Sequence, residues 1–129
     1  MKVQKITNQN DIYGTSFHGT TLTTTLDKLI EILGQPTYTE EDEEEKVQYE
    51  WELELVKDDN TTFPFTIYDW KEYCYIPHTR NIGWHIGGRN QEETEFAKAH
   101  VEGMLQGKDF AKKFVVADFA IVKKVVAKK

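Results

Sequence analysis

Residues 47–55 alternate strictly between apolar and polar side chains, and this pattern constrains the fold more than any other part of the chain. Gln48 and three glutamates fall on one side of the alternation. The other side carries Val47, Tyr49, Trp51, Leu53 and Leu55. A period of two is typical of a β-strand with one buried face. Two further aromatic-rich segments, 63–70 and 83–88, follow closely, so the sequence predicts a central antiparallel hairpin within a larger sheet.

Two segments of the chain have a helical period instead. Apolar residues recur at helical spacing over residues 26–33, with Thr24 or Thr25 available as an N-terminal cap and Gly34 at the end. A second helix is expected over 91–105, opened by a cap from Asn90 and ended at Gly107. Residues 87–88 are both glycine and are expected to break the preceding strand. The sequence therefore predicts an α+β fold, an antiparallel β-sheet packed against two or three α-helices.

The length of 129 residues is that of one domain, and we expect a single α+β domain over 1–129. Residues 106–129 are interpreted as a C-terminal extension. Within it, residues 109–129 combine valine pairs typical of a strand with an apolar stripe at helical spacing, and the stripe favours a helix. Lysines dominate this tail, whereas the run 40–45 is wholly acidic and is predicted to be a mobile connection.

The formal net charge of −6 and the lack of a broad basic surface, with lysines concentrated in the tail, argue against general nucleic-acid binding. The opposite charges of the two regions are those of ordinary solvated surfaces, or they attract copies of the chain to one another in a homo-oligomer. Cys74 is the single cysteine, so no internal disulfide forms. The polar N-terminal segment 1–10 is unlike a signal peptide, and we expect a cytoplasmic protein without membrane spans.

Metal and cofactor sites are not expected. His18, His78, His85 and His100 are scattered along the chain, whereas metal ligands occur at tight spacing. The thiol of Cys74 has no base beside it in the sequence, so it is interpreted as inert.

The turn at residues 87–90, between the last predicted strand and the second helix, is the best candidate for ligand binding. Backbone N–H groups at the start of a helix, helped by Arg80 and Arg89, suit a phosphate or carboxylate. Neighbouring aromatic rings suit a flat base. The alternative is that these rings belong to the core. The candidate ligand site comprises Trp70, Tyr73, Arg80, Trp84, His85, Gly87, Gly88 and Arg89.

The polar side of the alternating strand suggests a different function. Glu50, Glu52 and Glu54 point the same way at intervals of about 7 Å, close to the spacing of phosphates along one strand of DNA. Such an acidic ladder is a candidate protein-interaction surface that imitates nucleic acid in the basic groove of an enzyme. Any solvent-facing strand rich in glutamate shares this pattern.

The segments 18–20 and 85–87 are the only arrangement that resembles a pair of catalytic histidines. Phosphodiesterases with two histidine motifs need an imidazole and a nearby hydroxyl in each motif. Gly87 stands where the second hydroxyl is required. His85 is therefore more simply explained as a half-buried sheet residue, and no catalytic residue is assigned.

The motifs Ser-Phe-His-Gly-Thr at 16–20, Thr-Ile-Tyr-Asp-Trp-Lys at 66–71 and Trp-His-Ile-Gly-Gly at 84–88 occur in an order that resembles a family of small, uncharacterised bacteriophage proteins. The resemblance covers residues 13–105. It implies a phage-encoded accessory protein acting in the host cytoplasm, and it brings no catalytic residues with it.

These observations lead us to expect a non-enzymatic binding protein that counteracts host defence or redirects a host factor. The sharper form of this hypothesis is sequestration of a nucleotide-type signal. The alternatives are an acidic protein–protein inhibitor of a host enzyme and a two-histidine phosphodiesterase.

Overall fold

The computed structural model describes residues 1–40 and 45–117, and it confirms the α+β fold: a six-stranded antiparallel sheet packs against two helices. The acidic residues 41–44 and the tail 118–129 lie outside the described residues. The elements in chain order are β1 (Lys2–Lys5), a 3-10 helix (Gln9–Ile12), β2 (Ser16–Thr24), α1 (Leu26–Leu33), β3 (Tyr38–Thr39), β4 (Tyr49–Val56), β5 (Thr62–Tyr68), β6 (Ile82–Gly88) and α2 (Gln91–Ala117).

The sheet is ordered β1-β4-β5-β6-β2, and every described strand pair is antiparallel. The predicted hairpin forms its centre, with β4 and β5 paired from Glu50–Tyr68 to Val56–Thr62. β1 and the short β3 lie one after the other along the outer edge of β4. Because β1 and β2 lie at opposite edges, the segment that links them must cross the whole width of the sheet.

Both helices pack on one face of this sheet, and the core lies between them and the strands. The alternation is confirmed over β4, where Trp51, Leu53 and Leu55 are buried and the glutamates are only half-buried. Gln48, expected on the polar side, precedes the strand and is buried. Trp51 and Trp84 are both fully buried, and their rings meet edge to face with centroids 5.6 Å apart. Such aromatic pairs add stabilisation beyond that of buried area alone.

The same two indoles hold the two ends of α1. Trp84 Nε1 donates to the carbonyl of Thr24, just before the helix, and Trp51 Nε1 donates to the carbonyl of Gly34, just after it, both at 3.0 Å. Thr25 caps the helix as predicted, because its hydroxyl accepts from the N–H of Lys28 at 3.2 Å. An isolated helix of this length is marginal in water, so α1 depends on tertiary contacts, which comprise these bonds and the burial of Leu26 and Leu29.

A buried carboxylate holds the hairpin to the segment that precedes it. Asp69 follows β5 and is fully buried. Its oxygens accept from the backbone N–H groups of Gln48, at 2.9 and 3.1 Å, and of Tyr49, at 2.7 Å. Burial raises the pKa of the Asp69 carboxyl, although these bonds oppose the change. The chain after Asp69 is a loop rather than a strand, with Lys71 and Tyr73 at φ of 55° and 51°.

Two predicted boundaries are wrong. Gly87 and Gly88 do not break a strand but form the last residues of β6. Glycine is needed there for close packing: a Cβ at Gly87 would lie 2.5 Å from Thr66 Oγ1, and one at Gly88 would lie 2.6 Å from Thr94 Cγ2. Gly107 does not end the second helix, which continues to Ala117, because a single glycine weakens a helix without terminating it. The helix favoured for the tail is therefore observed as far as residue 117.

The predicted cap of α2 is confirmed. Asn90 Oδ1 accepts from the N–H of Glu93 at 2.8 Å, as a helix cap does. Ala97 and Val101 are fully buried, and Leu105 packs at the edge of the core. None of the described helices is long and apolar enough to span a bilayer.

We predict that Trp51→Phe lowers the free energy of unfolding by about 2 kcal/mol, because it leaves the Gly34 carbonyl without its donor. The matched control is Trp70→Phe at an exposed position, for which a change below about 0.5 kcal/mol is expected. Urea unfolding followed by far-UV circular dichroism measures both. Equal midpoints for the two variants would contradict the role of the indole bond.

We also predict that Gly88→Ala destabilises the protein, because the new methyl group collides with the Thr94 methyl. Adding Thr94→Ser removes that methyl and keeps a hydroxyl that can bond Thr20 Oγ1, which lies 2.7 Å from Thr94 Oγ1. The double variant should therefore regain part of the lost thermal stability. A double variant whose loss equals the sum of the two single losses would show that this contact does not require the glycine.

Candidate functional site

The face of the sheet opposite the helices is the part of the molecule that carries its unusual side chains, and we call it the open face. Its side chains alternate along the strands with those of the core. The open face comprises Phe17, Thr21, Glu50, Glu52, Thr66, Tyr68 and His85, with Trp70 at its rim.

The strand register arranges these residues in two rows. In the first row, Glu50 lies opposite Tyr68, Tyr68 opposite His85, and His85 opposite Thr21. In the second row, Glu52 lies opposite Thr66, and Gly87 lies between Thr66 and Phe17. Neighbouring strands are about 4.8 Å apart, so each row crosses four strands within about 15 Å.

Three rings surround that of His85 and form a cluster of four with it. Phe17 stacks on the imidazole with centroids 4.1 Å apart and planes at 19°, and Trp70 lies at 6.2 Å and 27°. Tyr68 meets the imidazole edge to face at 5.6 Å. Phe17 and Trp70 are 43% and 42% exposed, so this cluster faces solvent. Burial lowers the pKa of His85, so its imidazole is neutral at pH 7.

A bulge in β2 brings Phe17 into this cluster. Phe17 pairs with Gly87 and Thr21 with His85, so residues 18–20 oppose Ile86 alone. Gly19, at φ of 92°, supplies the left-handed backbone within the bulge. Sequence reasoning missed Phe17 as a site residue, and the only local signal was a glycine inside a predicted strand.

Glu50 and Glu52 lie beside the rings. Both residues are half-buried and share one face of β4. Burial, followed by the charge of Glu52, raises the pKa of Glu50 from 4.5 to about 7. Glu54 shares their face of the strand but accepts a hydrogen bond from Gln4 Nε2. The predicted ladder is therefore not three equivalent charges, which weakens its likeness to a row of phosphates.

The residues of the predicted ligand site do not lie together in the structure. Trp84 is fully buried, so it has no exposed ring for a ligand, contrary to the prediction. Arg80 precedes β6 and Arg89 follows it, which separates the two by about 20 Å along the strand. Trp70 and Tyr73, both exposed, lie in the loop on the Arg80 side.

At the glycine turn, Arg89 and the cap of α2 already have partners within the protein. Arg89 binds both carboxylate oxygens of Glu93, at 2.8 and 2.6 Å, and Asn90 already caps the first turn of α2. Gly87 and Gly88 lie against Thr66 and Thr94, which leaves no room over them. Arg80 is paired as well, because its Nη2 lies 3.8 Å from Glu72 Oε1.

The two histidine segments do not form a common site. His18 Nε2 lies 3.0 Å from the carbonyl oxygen of Gly88, whereas His85 stacks on Phe17. The hydroxyl of Thr20, which a two-histidine phosphodiesterase would use to hold phosphate, is buried against Thr94 of α2. That hydroxyl therefore points to the helix side, away from the imidazole of His85.

Two shallow cavities lie outside the ring cluster. One, of about 300 Å³, lies where the crossing link from β1 to β2 passes the end of the open face. Its lining residues are Asp11, Tyr13, Glu54, Thr62, Pro64 and Arg89. The other, of about 170 Å³, lies between β2 and α2 and is mostly polar. Among the described residues no group of three or more histidine, cysteine or carboxylate side chains is arranged to hold a metal ion.

Comparisons of the chain with protein-family models, with curated proteins and with solved structures return no match.

We predict that Glu50 makes the protein less stable as the pH rises. Its pKa is raised on folding, so its contribution to stability is full below about pH 4.5 and is lost as the pH passes about 7. The unfolding free energy of Glu50→Gln minus that of the wild type should therefore increase between these two values and stay level above them. Urea titrations from pH 4.5 to 8 test this, and a difference that is constant with pH would contradict it.

Proposed function

We propose that this protein is a non-enzymatic binding protein that holds a partner protein against its open face. The observation that carries the proposal is the cluster of Phe17, Tyr68, His85 and Trp70, whose two outer rings are exposed in the folded chain. Exposed aromatic rings grouped on one surface are typical of the centres of protein interfaces, where they supply most of the binding energy.

The shape of the surface favours a protein over a small molecule. Small ligands are usually enclosed in a concave pocket, whereas the rings of the open face lie on strands and a loop outside the two cavities described above. A nucleotide-type signal would also need a site for its phosphates. Arg89 is already bonded to Glu93, and the carboxylates of Glu50 and Glu52 beside the rings repel phosphate.

The resemblance to bacteriophage proteins extends this proposal to a host setting. On that basis the partner is a protein of the host cytoplasm, and binding counteracts a defence system or redirects a host factor. This keeps the protein–protein inhibitor suggested by the sequence and replaces its nucleic-acid mimicry with contacts to aromatic rings.

Photo-crosslinking tests the proposal with a matched pair of positions. We expect a benzoyl-phenylalanine at position 17 to form a discrete protein adduct in a nuclease-treated bacterial lysate, and the same residue at position 96 to form none. Phe17 and Phe96 are 43% and 40% exposed, but Phe96 lies on α2 against Phe63, on the other side of the sheet. Trp70→Ala should weaken the adduct at position 17. Identical adducts at both positions, or none at position 17, would contradict the proposal.

A further inference from the structure

The open face combines two features that together select one kind of side chain. The rings of Tyr68 and His85 lie in one row with Glu50, and Glu52 lies in the next row. Trp70 stacks on His85 from the rim of the open face. We propose that the open face binds an arginine side chain of its protein partner, with the guanidinium stacked on the ring cluster and paired with the carboxylates of Glu50 and Glu52. This inference rests on the proposed function and names the chemistry of the partner.

The ring cluster suits a planar cation. Guanidinium groups stack on aromatic faces and are more weakly hydrated than ammonium groups, so they lose less on leaving water. The neutral imidazole of His85 adds a flat surface without a repelling charge. The fold already places a cation on this surface, because Lys71 Nζ lies 5.6 Å from the centroid of the Trp70 ring. A bound arginine would displace that flexible side chain.

The carboxyl pair supplies the complementary charge. Glu50 and Glu52 lie two residues apart on the same face of β4. Burial raises the pKa of Glu50 to about 7, so near neutral pH this carboxyl holds a proton that a bound cation displaces. A guanidinium presents several N–H donors in one plane, which allows it to bond to more than one oxygen at once. The row geometry puts Tyr68, a ring of the cluster, about 5 Å from Glu50, so a guanidinium stacked beside that ring lies next to the carboxyl.

The groups that face Glu50 determine how binding depends on pH. On its own strand it meets Glu52, on β5 it meets Tyr68 with the buried Asp69 beyond, and on β3 it lies opposite Tyr38. Glu52 and Asp69 disfavour its charge, and both phenols have their pKa raised further above 10, so they stay neutral. A bound guanidinium stabilises the ionised carboxylate of Glu50. Binding therefore releases the proton that Glu50 carries in the free protein.

The test uses a defined probe, N-acetyl tri-arginine amide, at constant ionic strength. Fluorescence of Trp70 reports binding, because the other two tryptophans are fully buried. We expect the dissociation constant to fall about tenfold from pH 6 to pH 8, since binding is linked to a proton whose pKa is about 7. Calorimetry in buffers of different ionisation enthalpy should show proton release at pH 7. A tri-citrulline peptide should not bind, and a tri-lysine peptide should bind several-fold more weakly.

Three variants locate the effect. Glu50→Gln should weaken binding at pH 8 about tenfold and abolish the pH dependence. Glu54→Gln, the matched control, removes the same charge four residues further along the same face and should change the constant less than about twofold. His85→Phe keeps an aromatic ring and should leave the pH dependence of binding intact. This result would show that the pH dependence comes from Glu50 and not from His85.

The outcomes distinguish this inference from the function on which it rests. If position 17 crosslinks to a protein but tri-arginine binds equally to the wild type and Glu50→Gln, the arginine site is wrong and the binding function stands. If tri-arginine binds with the expected proton release while no adduct forms at position 17, the arginine site stands and the binding function loses its support.

Discussion

The contact between the indoles of Trp51 and Trp84 is the interaction on which the rest of the structure depends. These rings come from β4 and β6, on either side of β5, and they fill the centre of the core. Each indole also donates its N–H to one end of α1. The helix is too short to be stable alone, so the sheet fixes both its position and its ends. One pair of side chains thus specifies the core and decides which face of the sheet the helices cover.

The other face follows from this arrangement. With both helices on one side, the alternating side chains of β4, β5 and β6 must face away from the core. The link from β1 to β2 crosses one end of that side, beside Glu54 and Pro64. The open face leaves the rings of Phe17 and Trp70 exposed and the carboxyls of Glu50 and Glu52 half-buried. Exposed rings and a half-buried carboxyl with a raised pKa, that of Glu50, cost stability, which is consistent with recognition.

Much of the fold could be predicted from the sequence, because the relevant signals are local. Alternation identified β4, and Thr25 with Gly34 marked the ends of α1. The boundaries at Gly87–Gly88 and Gly107 failed because a glycine that relieves a close contact has the same sequence signal as one that ends an element. The surface was harder to predict. Trp70 and His85 were correctly expected on this surface, but Trp84 belongs to the core. Phe17 joins the ring cluster only through a bulge whose register no local sequence pattern reveals.

Hydrogen exchange of the three indole N–H groups, followed by NMR, tests the central claim most directly, because one experiment reports on both faces of the sheet. The account predicts two protected signals, from Trp51 and Trp84, that exchange only through global unfolding, and one from Trp70 that exchanges within the dead time. Rapid exchange at Trp51 or Trp84 would contradict the indole contacts that hold α1. Protection of all three in the isolated protein would contradict an open face available to a partner.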